Sequence, residues 1–285
     1  MSYLHIDNLY KAQHILAFRR CFALEKVHGT SAHVGWKGGI LTFFSGGESH
    51  ERFTALFDTE ALRAKLAGIE SATVYGEAYG GKCQGMSGTY GKELRFIAFE
   101  VKIGECWLAV PQAAQFVADL GLEFVPYEEG PTDLEWIDVQ RDAPSVVAVC
   151  RGMGERPREG VVLRPPFEVT LNNGERIIAK YKRDEFGERK TPQKIVDPEK
   201  LAVLADATAV AEEWVTEMRL THVLNAALGA TTPEMEHVPT IIKAMVEDVL
   251  REGAGEIVDG KDVRRAIGSR AVSLLKARIT ARLRA

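Results

Sequence analysis

The pattern of apolar residues changes near residue 195 of the 285-residue chain, and this change constrains the fold more than any other sequence feature. Before it, short β-branched and aromatic stretches alternate with glycine-rich turns, as in antiparallel sheets. Residues 32–36, a Lys-Gly-Gly turn and residues 40–44 have the pattern of a hairpin. The other predicted strands are 73–77, 94–103, 145–151, 160–164 and 176–182, with helices predicted at 59–67 and 111–120. The first part of the chain therefore predicts an α+β fold built on antiparallel sheet.

The remainder of the chain has helical spacing and almost no strand signal. A polar stretch at 183–200 contains two prolines and predicts a linker. Three helical segments follow, at 198–228, 233–252 and 260–284. In the last, apolar residues recur every four positions, and most of the arginines and lysines fall elsewhere around the helix. We therefore predict an α+β domain at 1–195 and a small all-helical domain at 196–285.

Charge is distributed unevenly along the chain. The formal net charge is −4, yet residues 261–285 carry eight basic residues and one acid. Such an excess favours contact between the helical domain and a polyanion such as nucleic acid. The alternative is a basic helix face that is simply solvated.

The sequence also argues against several classes of protein. No apolar run approaches the roughly 18 to 20 residues that cross a bilayer, and the N-terminus lacks the pattern of a secretory signal. The four cysteines form no Cys-x-x-Cys pair and no His-Glu-x-x-His motif is present, which disfavours a disulfide framework or a zinc site. We expect a cytoplasmic protein without membrane contact, and a monomer is favoured.

Three stretches in the first half of the chain carry groups suited to chemistry. Lys26 stands between a predicted strand and a glycine turn, where burial and nearby cations can lower the pKa of an amine and make it a nucleophile. Glu77 ends a predicted strand and could accept a hydrogen bond from a sugar hydroxyl. Phe99 and Glu100 are adjacent on a strand and should face opposite sides of it. The alternatives are a surface lysine, a solvated glutamate and a core phenylalanine.

Two later stretches give a stronger signal. The sequence Arg-Glu-Gly-Val-Val-Leu-Arg-Pro places Glu159 at the start of an apolar strand. Lys180 and Lys182 stand two residues apart and therefore lie on the same face of one strand. Two ammonium groups presented together suit a site that holds a phosphate, the alternative being a solvated strand face.

Taken in order, the five stretches resemble the motifs of the covalent nucleotidyltransferase superfamily, which contains ATP-dependent ligases and capping enzymes. The resemblance is closest to RNA ligases of the RNA ligase 2 type. The lysine motif, Glu-Lys-Val-His-Gly-Thr, has His28 where DNA ligases and capping enzymes usually carry Asp, and no second all-β stretch is present that would form an OB domain. The resemblance implies an antiparallel-sheet, ATP-grasp-like ligase domain, followed by a helical domain that contacts nucleic acid.

The resemblance also implies an activity, which is ATP-dependent joining of RNA 3′-hydroxyl and 5′-phosphate ends. Lys26 would attack the α-phosphate of ATP and carry AMP, which then passes to the 5′-phosphate before the 3′-hydroxyl displaces it. Lys180 and Lys182 would hold the α-phosphate. Phe99 would stack on the adenine, and Glu77 would bind the ribose.

The remaining roles concern the metal ion and the flanks of the nucleophile. Glu159, with Glu100 as a second acid, would bind Mg²⁺ or Mn²⁺, which prefer carboxylate and phosphate oxygens. Glu25 and Gly29 would belong to the nucleotide-binding set. His28 would act in the later steps on nucleic acid.

Two positions depart from this resemblance, and other functions stay open. Relatives commonly carry an arginine shortly after the first hairpin, where the nearest arginine here is Arg52, and Ser31 stands where some relatives have Asn. The alternatives are a ligase that seals nicks in DNA or in DNA/RNA hybrids, a GTP-using capping enzyme, and a non-catalytic nucleic-acid-binding relative.

Overall fold

The computed structural model of the protein describes residues 3–191, 206–229 and 231–284. The chain forms two compact units, Met1–Arg183 and Asp184–Ala285. The boundary lies at the start of the polar stretch predicted as a linker and ahead of the predicted domain boundary at residue 195. The reason is that residues just after 183 bind to the helical unit: the backbone N–H of Lys190 donates to the carbonyl of Glu213 at 2.8 Å. The predicted linker residues from 192 to 200 lie outside the described residues.

The first unit combines antiparallel strands with short helices. Its strands are β1 (Arg20–Lys26), β2 (Thr30–Lys37), β3 (Ile40–Ser45), β4 (Ser71–Tyr79), β5 (Arg95–Ile103), β6 (Cys106–Trp107), β7 (Tyr127–Pro131), β8 (Gly160–Arg164) and β9 (Ala179–Lys182). Its α-helices are α1 (His50–Thr54), α2 (Thr59–Leu66), α3 (Ser87–Tyr90), α4 (Val110–Asp119), α5 (Leu134–Asp142) and α6 (Val146–Cys150).

The strands form two antiparallel sheets with the orders β7-β1-β8-β9 and β3-β2-β4-β5-β6. One apolar core covers the second sheet, where Val34 and Val74 pack with Leu62 of α2. Another joins the two sheets, since Leu24 of β1 belongs to the same buried cluster as Ile97 of β5. The alternating burial along β4 follows from the two-residue period of a strand. The two sheets therefore pack against each other through this cluster.

Most of the predicted elements of the first unit are confirmed. The hairpin of β2 and β3 pairs Lys37 with Ile40 across the Lys-Gly-Gly turn. Helices α2 and α4 occupy the two predicted helical segments, and β4, β5 and β8 occupy predicted strands. The last predicted strand is shorter than expected, since β9 begins at Ala179.

The strand predicted at 145–151 is wrong, because this segment forms α6. Its β-branched valines favour a strand, but two side chains satisfy the first amides of a helix instead. Ser145 accepts a hydrogen bond from the backbone N–H of Ala148 at 3.0 Å, and the Glu25 carboxylate accepts one from Val146 at 2.9 Å.

The second unit is helical, as predicted. Its described α-helices are α7 (Ala207–Trp214), α8 (Glu217–Leu228), α9 (Val238–Glu252) and α10 (Lys261–Arg284). The first predicted helical segment is divided, since Thr216 caps α8 by accepting from the N–H of Arg219. The predicted apolar stripe of α10 is confirmed, because it packs in the core of this unit: Val263, Ile267, Ala271 and Leu275 are buried, and Ile279 is partly buried. No helix among the described residues is long and apolar enough to cross a membrane.

Candidate active site

A cavity of about 250 Å³ in the first unit is lined by residues from strands of both sheets. All five sequence motifs contribute to its lining, with the fourth represented by Val162 and Arg164. The predicted residues that line it are Glu25, Lys26, Ser31, Glu77, Phe99, Glu100, Lys180 and Lys182. The fold thus brings to one place groups that are far apart in the chain.

The predicted nucleophile lies beside a buried carboxylate at the ends of β1, β8 and β9. Strand pairing sets Lys26 opposite Gly160 and Gly160 opposite Lys182, so that Glu159 stands between the two lysines. Lys26 Nζ lies 3.0 Å from Glu159 Oε2, and Lys182 Nζ lies 2.9 Å from Glu159 Oε1. His28 Nδ1 lies 3.2 Å from the same Oε2. One carboxylate therefore connects the first, fourth and fifth motifs.

The charge of Glu159 is fixed by its neighbours. Its side chain is only 2% exposed, and burial alone would raise the pKa. Lys182, Lys26 and His28 outweigh burial and hold the pKa of Glu159 well below its usual range. The group is therefore an ionised carboxylate that accepts contacts on both oxygens.

Gly160 is required for this arrangement. Its φ is +152°, and a Cβ at this position would lie 2.2 Å from the carbonyl oxygen of Tyr181. Any other residue would push β8 away from β9 and would separate Glu159 from Lys182.

Glu77 faces the nucleophile from the other sheet. Burial raises the pKa of its carboxyl to about 8, with Glu159 acting in the same direction and Lys26 in the opposite one. The backbone N–H of Gly29 donates to it, and the two approach so closely that a Cβ at Gly29 would lie 2.9 Å from Glu77 Cγ. At neutral pH Glu77 is therefore mostly protonated and can donate as well as accept. Ser31 stands directly opposite Glu77 in the strand register.

Phe99 and Glu100 both line the cavity, although adjacent strand residues were expected to face opposite sides. The register between β4 and β5 shifts here: Tyr75 pairs with Glu100 and Gly76 pairs with Ala98, which leaves Phe99 as the extra residue of a β-bulge. Bulges turn side chains away from the regular alternation of a strand. The bulge explains why the prediction of opposite faces is wrong.

The Glu100 carboxylate forms ion pairs with two arginine side chains. It lies 2.9 Å from Arg164 Nη1, accepts hydrogen bonds from both terminal nitrogens of Arg176, and accepts a further bond from the Tyr3 hydroxyl. Among the described residues, no group of three or more His, Cys, Asp or Glu side chains is placed to hold a metal ion. The Glu100 carboxylate, like that of Glu159, already contacts cationic side chains, and the metal roles of both residues stay predictions.

The contacts of the Glu25 side chain indicate a structural role. It is buried and accepts hydrogen bonds from Ser145 Oγ and from the backbone N–H groups of Val146 and Val147. These contacts attach the first turn of α6 to β1. Any contact of Glu25 with a nucleotide, as predicted, must therefore come from its backbone.

Arg52 lies outside the cavity lining. It belongs to α1, its side chain is about half exposed, and its Nη1 lies 2.9 Å from Glu48 Oε1. The structure therefore does not bring Arg52 to the predicted nucleophile.

Three residues of the site were missed in the sequence. Arg164 belongs to the fourth motif and could have been assigned from it. Arg176 and Tyr3 carry no motif signal, because each reaches Glu100 only through the folded chain.

The basic face of α10 is partly neutralised within the second unit. Arg264 pairs with Asp259 at 2.6 Å, and Arg278 pairs with Glu217 at 2.9 Å. Arg270 Nε donates to a backbone carbonyl. Lys276 and Arg282 are exposed, so the predicted nucleic-acid contact of this helix depends on fewer groups than the sequence suggested.

Comparison with known proteins agrees with the motifs. The RNA ligase family model matches residues 19–182, more than half of the chain. A comparison with curated protein sequences gives no match.

Solved structures of Naegleria gruberi RNA ligase have a similar fold. A mutant with AMP and Mn is 15% identical, with a TM-score of 0.52 over 65% of this chain and 57% of that chain. An apo mutant is 16% identical, with a TM-score of 0.52 over the same shares. The chain therefore spans less than two thirds of the length of these ligases, and at such identities the likeness concerns the fold alone. Because the family model covers most of the first unit and contains all five motifs, the chain belongs to the RNA ligase family.

Proposed function

We propose that the protein is an ATP-dependent RNA ligase that forms a lysyl-adenylate on Lys26 and then joins RNA 3′-hydroxyl and 5′-phosphate ends. The observation that carries this proposal is that Lys26 lines one cavity together with Phe99, Glu77, Lys180 and Lys182. An amine, a flat aromatic ring, a sugar-binding carboxyl and paired cations are the groups that adenylyl transfer from ATP requires.

In the first step the Lys26 amine, in its neutral form, attacks the α-phosphorus of ATP. A P–N bond forms, the nitrogen releases one proton to solvent, the bond from the α-phosphorus to the bridging oxygen breaks, and pyrophosphate leaves with the electron pair. Lys180 and Lys182 lie on the same side of β9 and offset the negative charge that develops on the phosphate oxygens.

The second sheet provides the side chains that would recognise the nucleoside. Phe99 offers a ring for adenine, because stacking tolerates any π-face and gains from exclusion of water. Glu77, mostly protonated at neutral pH, can donate to one ribose oxygen or accept from a hydroxyl.

The site fits a divalent cation that is held mainly by phosphate oxygens. Mg²⁺ is usually bound by one or two carboxylates together with substrate phosphates, and Glu159 supplies one ionised carboxylate next to Lys26. Such an ion would neutralise phosphate charge when bound. The Naegleria gruberi ligase structures with ATP or AMP and Mn support this choice of nucleotide and metal.

The later steps need RNA ends at the same cavity. We assign His28, whose ring contacts Glu159 beside Lys26, to these later steps. We assign nucleic-acid contact to the exposed basic residues of α10 in the second unit.

The test is the intact mass of the protein after incubation with ATP and Mg²⁺. The wild type should gain one AMP, Lys26→Ala should gain none, and Lys65→Ala, which removes an exposed lysine of α2, should behave as the wild type. The adenylated protein should then seal RNA with a 5′-phosphate and a 3′-hydroxyl. Absence of an adduct, together with no release of ATP from the purified protein by pyrophosphate, would refute the ligase assignment; sealing of DNA alone would refute the RNA substrate.

A further inference from the structure

The N-terminal segment, residues 3–9, is bound to the strand that carries the paired lysines. The backbone N–H of Leu9 donates to the carbonyl of Lys180 at 2.8 Å, and the N–H of Lys180 donates to the carbonyl of Asp7 at 2.9 Å. Asn8 and Lys180 form a parallel bridge. The segment thus extends the open edge of β9 and is fixed next to the cavity.

At the start of this segment, Tyr3 contacts both residues of the β5 bulge. Its ring packs edge-on against Phe99, with centroids 4.9 Å apart, and its hydroxyl donates to the buried carboxylate of Glu100. Tyr75 and Trp107 pack against the same ring, at 5.1 and 6.2 Å between centroids. Edge-to-face geometry is the favoured arrangement of aromatic pairs. Tyr3 therefore fixes one side of the Phe99 ring.

The hydroxyl of Tyr3 is a stable donor. Burial raises its pKa well above the usual value, and the charge of Glu100 acts in the same direction. Glu100 is in turn held by Arg164 and Arg176, so the bond from Tyr3 ends on a fixed acceptor.

The same segment separates two cavities. Residues 3–6 line the 250 Å³ cavity that contains the predicted nucleophile, and they also line a neighbouring cavity of about 780 Å³. The larger cavity is lined by charged groups that include Lys11, Glu105 and Glu175. Loss of the Tyr3 ring would open the aromatic end of the smaller cavity towards this polar space.

We propose that Tyr3 is a positioning residue for the nucleotide base, which holds the Phe99 ring for stacking and closes the cavity around the base. This inference rests on the proposed function, because it requires Phe99 to receive the purine of ATP. Tyr3 acts through Phe99 and through the closed wall, so its loss should weaken ATP binding and leave the chemistry at Lys26 nearly unchanged.

The first measurement is the affinity for ATP by calorimetry in the Lys26→Ala background, where no covalent adduct can form. Tyr3→Ala should weaken binding by about tenfold, since contacts with several aromatic rings are lost. Tyr3→Phe keeps the ring and should stay within about threefold of the parent. In the otherwise wild-type protein, Tyr3→Ala should raise the KM for ATP in self-adenylation while kcat changes by less than about threefold.

A matched control removes another ring near the N-terminus. Phe18 packs against the exposed Phe167 and lines neither cavity, so Phe18→Ala should leave ATP affinity unchanged. Thermal unfolding identifies variants that fail to fold; if Tyr3→Ala fails, Tyr3→Leu, which keeps apolar volume without a ring, is measured instead and should also weaken binding.

The outcomes separate this inference from the proposed function. If Lys26→Ala binds ATP and loss of the Tyr3 ring leaves binding unchanged, the inference alone is overturned. Tighter binding without the ring would also overturn it, because Tyr3 would then obstruct the base. If the parent binds no ATP and the wild type forms no adduct, the proposed function fails and the inference fails with it.

Discussion

A substitution of Glu77 tests the electrostatics of the site, because the surroundings of this carboxyl disfavour its ionised form. Burial raises its pKa from 4.5 to about 8, with Glu159 acting in the same direction and Lys26 opposing. The ionised form is therefore less favourable in the folded protein than in the unfolded chain. The contribution of this group to folding is fully present below about pH 4.5 and is lost as the pH rises through about 8.

Glu77→Gln removes the titration and keeps a side-chain oxygen for the N–H of Gly29. A pKa shift of this size corresponds to a ceiling of about 5 kcal/mol at high pH. Because the side chain is partly exposed to the cavity, water screens its charge, and we expect about 2 to 3 kcal/mol. The variant should therefore be more stable than the wild type by this amount at about pH 8.5, and much closer to it at about pH 5.

The assay is urea unfolding at a series of pH values, monitored by intrinsic fluorescence, to which Trp36, Trp107 and Trp136 contribute from the first unit. The difference between variant and wild type cancels the titration of groups that do not interact with Glu77. Glu70→Gln, which replaces an exposed glutamate of the same unit, is the matched control and should show no pH-dependent difference. A difference for Glu77→Gln that stays constant from pH 5 to 8.5 would refute the reasoning.

Two further predictions concern the phosphate site and the helical unit. Lys182→Ala should lower the single-turnover rate of self-adenylation by about 10²- to 10³-fold, because a preorganised cation beside the nucleophile is lost; a change below about threefold would leave Lys182 a purely structural role. Lys276→Ala/Arg282→Ala should reduce the slope of log affinity against log salt for single-stranded RNA by about 1.4, at about 0.7 for each contact, with adenylation unchanged. The control is Arg264→Ala, which should keep the full slope because the Arg264 guanidinium is paired with Asp259. An equal slope in the wild type, the double variant and the Arg264→Ala control would contradict a role for the exposed basic residues of α10.

Local patterns were sufficient for the parts of the site that depend on one strand or one turn. The two-residue spacing of Lys180 and Lys182 along one strand places both side chains on the same face. The four-residue repeat of apolar side chains in α10 likewise follows from helix geometry alone. Each of these features involves residues that are close in sequence.

The errors arose where a distant residue decides the local structure. The valines at 146, 147 and 149 favour a strand, but Glu25, about 120 residues earlier, provides the acceptor that stabilises the start of α6. Phe99 and Glu100 share one cavity because β4 lacks a partner for Phe99, which is a property of the pair of strands. The sequence around residues 99–100 gives no information on the pairing with β4, and the sequence of 145–151 gives none on the contact with Glu25.

The contacts of Glu159 also bear on the choice between a ligase and a non-catalytic relative. A buried carboxylate with two lysines and a histidine is costly to desolvate, and removal of Glu159 would leave the two lysines without their shared counter-charge. The same fold could bury apolar side chains there at no such cost. A protein that only binds nucleic acid has no use for a lysine amine enclosed beside an aromatic cavity, since phosphate contacts are made as well by exposed cations. The presence of this cluster together with Gly160, whose replacement would separate Glu159 from Lys182, therefore supports the proposed chemistry at Lys26.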